Sequence, residues 1–140
     1  MNLKWYYWYF TSAVPPKICD DILEHGNSLE KEMALTGGGN RSKPPSKEEL
    51  KNIQKKRKSD IVWMNDTWIY KEIHPYIHQA NASGGWNFQW DFTESCQFTE
   101  YKKGQYYDWH CDSNETPYDK PEDVNSHGKI RKLSMTLCLT

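Results

Sequence analysis

Apolar and polar positions divide the chain into a helical first part and an extended second part. Residues 4–10 form a nearly continuous aromatic run, which predicts a strand covered on both faces. Ile18, Ile22 and Leu23 have the spacing of a buried helix stripe, and a proline pair stands where that helix would begin. From Trp86 onward apolar and polar residues alternate, which is the period of half-buried strands. Helices followed by strands predict an α+β fold, with helices packed on an antiparallel sheet.

The middle of the chain is predicted to contain a loop, a helix and a short strand. Residues 35–45 are rich in glycine and proline, so we expect a surface loop there. Ser46 followed by Glu49 has the form of a capping box, which predicts a helix that continues through Lys58. This helix carries a run of lysines, a pattern typical of a solvated face. Residues 61–64 are apolar and predict a strand.

A further helix is predicted to begin at Asn65 or Asp66, which are good capping residues. Pro75 lies inside it and is expected to kink it or split it into two pieces. His74 and His78 stand at i and i+4, a spacing that suits a metal ion, but no glutamate completes the H-E-x-x-H pattern. We therefore expect these two histidines to pack against neighbours or to lie on the surface.

The extended part contains the candidate chemistry. Residues 97–101 and 105–112 predict two strands joined by a tight turn at Gly104. Side chains two apart on a strand share one face, so His110 and Asp112 would direct an imidazole and a carboxylate to one point. These are two of the three ligands in a facial two-histidine, one-carboxylate Fe(II) site.

The surroundings of this pair resemble a known family. The segment QFTEYxxGxxYxxHxDS at residues 97–113, followed by GKIRKLSMTL at 128–137, is similar to the prolyl 4-hydroxylase-like Fe(II)- and 2-oxoglutarate-dependent dioxygenases. Residues 57–63, RKSDIVW, resemble a segment of the bacterial and phage members. The combination is far more specific than the His-x-Asp pair alone.

The resemblance implies a double-stranded β-helix, or jelly roll, within one domain that spans residues 1–140. Residues 1–85 would supply an N-terminal strand and the supporting helices packed on the sheet. Residues 86–140 would supply the first strands of the jelly roll, including the strand with His110 and Asp112. The α+β class follows from the residue pattern, and the jelly roll follows from the resemblance.

Residues 130–139 predict a last strand, on which Ser134, Thr136 and Cys138 share one face. The family's second metal histidine and its basic 2-oxoglutarate residue lie beyond the equivalent strand. We therefore expect a jelly roll that is incomplete at the C-terminus and a sequence that is truncated. The alternatives are a split protein whose second half comes from another chain, and a homodimer that completes the site in trans.

The resemblance assigns three groups of site residues. Two residues would bind Fe(II), three would line the 2-oxoglutarate pocket, and three would lie on the substrate side. The Fe(II) ligands would be His110 and Asp112, the 2-oxoglutarate pocket residues Tyr101, Thr136 and Cys138, and the substrate-side residues Tyr107, Arg57 and Trp63. The implied reaction hydroxylates a side chain of a peptide or small molecule, with peptidyl proline as the leading substrate. It converts 2-oxoglutarate and O₂ to succinate and CO₂, with ascorbate as a further cofactor.

Composition narrows the partners and the compartment. The formal net charge of −1 argues against a nucleic-acid or membrane partner bound through charge. Four scattered cysteines show no disulfide framework, so we expect reduced thiols in a cytoplasm. No apolar run has the length of a membrane span, and the N-terminus lacks the pattern of a signal peptide.

Two other classes of protein stay open. In a non-catalytic jelly-roll binding module, or an inactive fragment, His110 and Asp112 would only make hydrogen bonds on a strand. A zinc hydrolase would need more metal ligands and a nearby general base, and the sequence offers neither. Iron-dependent formation of succinate would distinguish the dioxygenase from both.

Overall fold

The computed structural model describes residues 3–34 and 45–140. Within these ranges the chain forms three α-helices and five short strands, and every strand pair is antiparallel. The predicted α+β class is therefore confirmed, and the loop predicted at 35–45 lies almost entirely outside the described residues. The elements are α1 (Pro16–Ser28), β1 (Glu32–Met33), α2 (Lys47–Lys56), β2 (Arg57–Lys58), β3 (Asp60–Met64), α3 (Thr67–Ser83), β4 (Cys96–Glu100) and β5 (Tyr106–Tyr107).

The chain divides into two compact units, each assembled from separate stretches of sequence. The helix unit comprises the described residues within Met1–His25, Asn65–Glu94 and Cys111–Thr140. The sheet unit comprises those within Gly26–Met64 and Ser95–His110. Most of α1 and all of α3 belong to the helix unit, whereas all five strands and α2 belong to the sheet unit.

The sheet unit is built on the pairing of β3 with β4. These strands form a five-residue antiparallel ladder in which Val62 lies opposite Phe98 and Trp63 opposite Gln97. β1 extends this sheet on the other side of β3, and β2 pairs separately with β5. The buried apolar side chains of the unit include Ile53, Ile61, Val62, Met64 and Phe98, so the apolar run predicted as a strand at 61–64 is confirmed.

Helix α2 begins as its sequence predicts. The backbone amide of Glu49 donates to the Ser46 hydroxyl at 3.3 Å, and the Ser46 amide donates to the Glu49 carboxylate at 2.7 Å. This reciprocal capping box satisfies two amides that would otherwise lack partners at the helix end. The helix ends at Lys56, two residues earlier than predicted, because the backbone becomes extended at Arg57 and pairs with β5.

Helix α3 runs without interruption through Pro75, so the predicted split is wrong. Its buried positions Ile69 and Ile73 hold one face of the helix in the core, which stabilises the backbone on both sides of the proline. Asp66 occupies the N-cap position as predicted, but its side chain makes no capping hydrogen bond. Its carboxylate instead lies 2.9 Å from Nε2 of His25.

The strand predicted after Trp86 does not form there, and the side chain of Asn81 supplies the reason. Its amide group donates to the Phe88 carbonyl at 2.8 Å, and its carbonyl oxygen accepts from the Phe88 amide at 3.0 Å. The backbone carbonyl of Asn81 also accepts from the amides of Trp86 and Asn87. Because Asn81 satisfies these backbone groups of residues 86–88, they are not free to pair in a sheet, and β4 begins only at Cys96.

Three other strand predictions are also corrected. Residues 4–10 and 130–139 lie outside the helices and strands, and the strand predicted at 105–112 is reduced to β5. β4 and β5 do not pair with each other as a hairpin, because each finds an earlier strand as its partner. The turn itself is confirmed, since Gly104 has φ of 80°, a conformation that favours glycine.

Gly26, which lies in α1 and belongs to the sheet unit, packs closely against Phe98 of the same unit. A Cβ added at this position would lie 2.7 Å from the buried ring of Phe98, closer than real side chains approach. We expect Gly26→Ala to lower the free energy of unfolding by about 1–2 kcal/mol, because the steric cost exceeds the gain in helix propensity. The matched control is Glu24→Ala, an exposed position on the same helix, which should change the stability by less than about 0.5 kcal/mol. Equal denaturant midpoints for the two variants would contradict this packing.

Candidate functional site

Three side chains in the sheet unit form a continuous stack. The β2–β5 pairing places Arg57 opposite Tyr107, and the Arg57 guanidinium lies 4.5 Å from the centre of the Tyr107 ring. The His110 imidazole stacks on the same tyrosine, with ring centres 3.6 Å apart and planes inclined by 14°. Two substrate-side residues and one metal ligand expected from the resemblance are therefore in contact. The contacts are of the cation–π and stacking kinds that favour these orientations.

The orientation of His110 is set by a local hydrogen bond. Its Nδ1 lies 2.7 Å from the backbone carbonyl oxygen of Asp108, and a carbonyl can only accept, so Nδ1 carries the proton and donates. In the neutral imidazole the lone pair then belongs to Nε2. Metal-binding histidines commonly donate their other ring nitrogen to a carbonyl or carboxylate in this way. His110 is exposed, and the preceding Trp109 is fully exposed.

Arg57 is buried, with only 6% of its surface exposed. Its Nε donates to the hydroxyl of Ser59 at 2.9 Å, and its Nη1 donates to the Gln97 side chain at 3.4 Å. Nη2 is buried and has no hydrogen-bond partner among the residues that the structure describes. Arg57 was predicted to lie on the substrate side, and its hydrogen bonds to Ser59 and Gln97 were not predicted. The i, i+2 spacing of Arg57 and Ser59 was the available signal.

Two carboxylates of this sheet, Asp60 on β3 and Glu100 on β4, are paired with lysines. Lys31 donates to Glu100 at 2.7 Å, and this bond lowers the pKa of the Glu100 carboxyl. Lys102 donates to Asp60 at 3.2 Å and lowers the pKa of Asp60, with Gln105 acting in the same direction. Both acids are therefore held ionised by groups other than Arg57.

Asp112 belongs to the helix unit, where it meets a second polar cluster. Its carboxylate accepts a hydrogen bond from the Ser134 hydroxyl, and its backbone carbonyl accepts from the Arg131 guanidinium. Arg131 also forms an ion pair with Glu94, which raises the pKa of the guanidinium. The Tyr118 hydroxyl lies 3.5 Å from Glu94, and burial, followed by that carboxylate, raises the pKa of the phenol.

The remaining predicted site residues lie outside these two clusters. Trp63 is half exposed on β3, and Tyr101 is half exposed one residue beyond β4. Thr136 and Cys138 are exposed in the helix unit, in a segment without strand pairing. The predicted alternation is broken at Met135, which is exposed like Ser134 and Thr136 on either side of it, and no strand forms.

The donor set was compared with the requirements of an iron site. The Nδ1 of His110 donates to a carbonyl, as in many metal-binding histidines, and Asp112 offers a carboxylate, but β5 ends at Tyr107, so no strand aligns the two side chains. Within residues 3–34 and 45–140, no group of three His, Cys, Asp or Glu side chains could hold one metal ion together. The described residues therefore fit the iron site in part.

The helix unit contains a groove that the sequence analysis did not anticipate. It has a volume of about 440 Å³ and is lined mainly by aromatic and histidine side chains. His78 stacks on Trp90 with ring centres 4.8 Å apart, and His74 meets the same ring edge-on at 5.2 Å. Nε2 of His74 lies 3.2 Å from the Thr93 hydroxyl. The prediction that these histidines pack or lie on the surface is confirmed.

Comparison of the chain with protein-family models, with curated proteins and with solved structures gave no match. Across the part of the chain that the structure describes, no helix has both the length and the apolar character needed to cross a membrane.

The histidine groove predicts a pH dependence of stability. Burial lowers the pKa of His74 below its ordinary value of 6.5, and His78 acts in the same direction. The unfolded chain therefore takes up the proton first as pH falls, so stability should decrease from about pH 7.5 to about pH 5.5. We expect His74→Gln to reduce this slope in denaturant unfolding, whereas the control His127→Gln, in a turn of the same unit, should preserve it. An unchanged slope in His74→Gln would contradict this prediction.

Proposed function

We propose that the chain contributes His110 and Asp112 to the active site of a Fe(II)- and 2-oxoglutarate-dependent dioxygenase of the prolyl 4-hydroxylase-like kind. The observation that carries the proposal is the Nδ1 hydrogen bond from His110 to the Asp108 carbonyl. This bond selects the tautomer and orientation that a metal ligand needs. The sequence motif around His110 and Asp112 supplies the choice of iron and cosubstrate. A jelly-roll fold belongs to the same proposal.

The proposed roles follow the clusters described above. His110 and Asp112 would bind the iron, through Nε2 and through the carboxylate. When bound, iron with 2-oxoglutarate and O₂ would supply the oxidising chemistry for hydroxylating a C–H bond: one oxygen atom would enter the substrate and the other the succinate, which forms with CO₂. Tyr107 and Arg57 form one wall of the substrate side, because Arg57 lies over the Tyr107 ring and that ring stacks on His110.

The other assignments are carried by the motif. Tyr101, Thr136 and Cys138 would line the 2-oxoglutarate pocket, and Trp63 would extend the substrate side. Ascorbate would serve as the accompanying reductant, and a peptidyl proline is the leading substrate. All four cysteines are thiols, which supports a reducing compartment such as the cytoplasm as part of the proposal.

A second candidate is a non-catalytic binding module. The observation that favours it is the Ser134 hydroxyl that donates to the Asp112 carboxylate. A carboxylate with that partner has a structural role that requires no metal. In this alternative the exposed stack of Tyr107 and His110 would bind a partner directly.

The test is Fe(II)- and 2-oxoglutarate-dependent formation of succinate by the purified protein. We expect His110→Ala and Asp112→Ala each to lower the rate by at least about 100-fold, because removing even the outer-shell partners of a metal ligand commonly costs 10–100-fold. The control is His127→Ala, which removes an imidazole from a turn and should retain the rate. Succinate formation that survives in His110→Ala would refute the assignment. Its absence from the folded wild-type protein would favour the binding module.

A further inference from the structure

We propose that the Arg57 guanidinium is the binding site for a carboxylate on the ligand of this protein. The inference deepens the proposed function, because the carboxylate would belong to the substrate, and it rests on that proposal for the ligand's identity as substrate. The binding site itself is argued from the contacts of Arg57 alone. A charged side chain that is 94% buried would normally have a counter-ion, and this one lacks it among the described residues.

The donor groups of Arg57 are only partly used. A guanidinium has five N–H donors, of which Nε–H is taken by Ser59 and one N–H of Nη1 by Gln97. The Gln97 contact, at 3.4 Å, is long for a hydrogen bond. Both N–H groups of Nη2 and the second N–H of Nη1 therefore stay available. They lie along the outer edge of the fork, where a carboxylate can accept two parallel bonds.

The positive charge of Arg57 also lacks a counter-ion among the described residues. Among the described residues no carboxylate forms an ion pair with Arg57, and the nearby strand acids Asp60 and Glu100 are already paired with lysines. The sequence of the sheet unit contains eleven Lys and Arg against seven Asp and Glu, so its net charge is positive. The hydrogen-bond partners of Arg57, Ser59 and Gln97, are neutral. An anion brought by a ligand would neutralise the buried charge, which is costly to leave unpaired.

The surroundings favour a carboxylate over a larger anion. The Tyr107 ring covers one face of the guanidinium, and the N–H donors point along the guanidinium plane, so a ligand that accepts from them binds edge-on. A planar carboxylate matches that edge-on, two-point geometry. Nη2 is sheltered from solvent, so entry of the ligand requires the covering side chains to move. The low local polarity then strengthens the bond that forms.

The experiment is an NMR titration of the wild-type chain without iron or 2-oxoglutarate, observing the arginine side-chain N–H signals. The probes are acetate, neutral acetamide, inorganic phosphate, and a pair of capped peptides Ala-Glu-Pro-Ala and Ala-Gln-Pro-Ala. We expect saturable shifts of the Arg57 signals with acetate and with the Glu peptide, and none with acetamide or the Gln peptide. Arg131, already paired with Glu94, is the internal control and should not shift.

Variants at Arg57 complete the test. We expect Arg57→Lys to bind the Glu peptide at least about tenfold more weakly, because a lysine cannot form the two-point contact. The control Arg131→Lys should bind it like wild type, with folding of both checked from the amide spectrum. Because the titration of wild-type protein decides the matter on its own, a variant that fails to fold does not affect the outcome.

The alternative outcomes are distinct. Arg57 signals that do not respond to either carboxylate probe, or that respond equally to acetate and phosphate, would overturn the carboxylate site. A response to acetate but not to the Glu peptide would support the site and overturn a peptide as the source of the carboxylate. Because iron and 2-oxoglutarate are absent, failure here leaves succinate formation untouched. Failure of succinate formation likewise leaves the binding result intact.

Discussion

The pairing of β3 with β4 is the constraint on which the candidate site depends. It joins two segments more than thirty residues apart and buries Val62 and Phe98 opposite each other. Once β4 is fixed, the turn at Gly104 returns the chain so that β5 can pair with β2. The stack of Arg57, Tyr107 and His110 is a consequence of that second pairing. Weakening the apolar ladder would therefore disturb the site without any change in its own residues.

The chemistry of the sheet unit comes from how its charges are distributed. Lysines pair with the carboxylates of Asp60 and Glu100, whereas Arg57 is buried and its hydrogen-bond partners among the described residues are neutral. A buried guanidinium of this kind is costly to the isolated protein and becomes favourable when an anion arrives. His110 is held on the far side of Tyr107 by a backbone carbonyl, which leaves its orientation independent of any ligand. The oriented imidazole of His110 and the partly unpaired guanidinium of Arg57 therefore both contact the ring of Tyr107.

Local chemistry was the part of the fold that the sequence predicted well. The capping box at Ser46, the glycine turn at Gly104 and the apolar run of β3 each depend on a few adjacent residues, and each was found. Which strands pair with each other was not predictable, because whether β4 pairs with β5 or with β3 depends on burial between distant segments of the chain. The strand expected after Trp86 failed for a similar reason, since a single side chain, Asn81, satisfies that backbone. The His-x-Asp pair was visible in the sequence, whereas the burial of Arg57 was not.

The central claim is that the segment with His110 and Asp112 binds a divalent metal. The most direct measurement adds small amounts of Mn²⁺, a redox-stable paramagnetic substitute for Fe²⁺, and records which NMR signals broaden. Because broadening reports even weak binding, an incomplete ligand set does not prevent the test. The account predicts that signals of His110 and Asp112 broaden first and that His110→Ala abolishes the effect. Broadening centred on His74 and His78, or spread evenly over the exposed acidic residues, would contradict it.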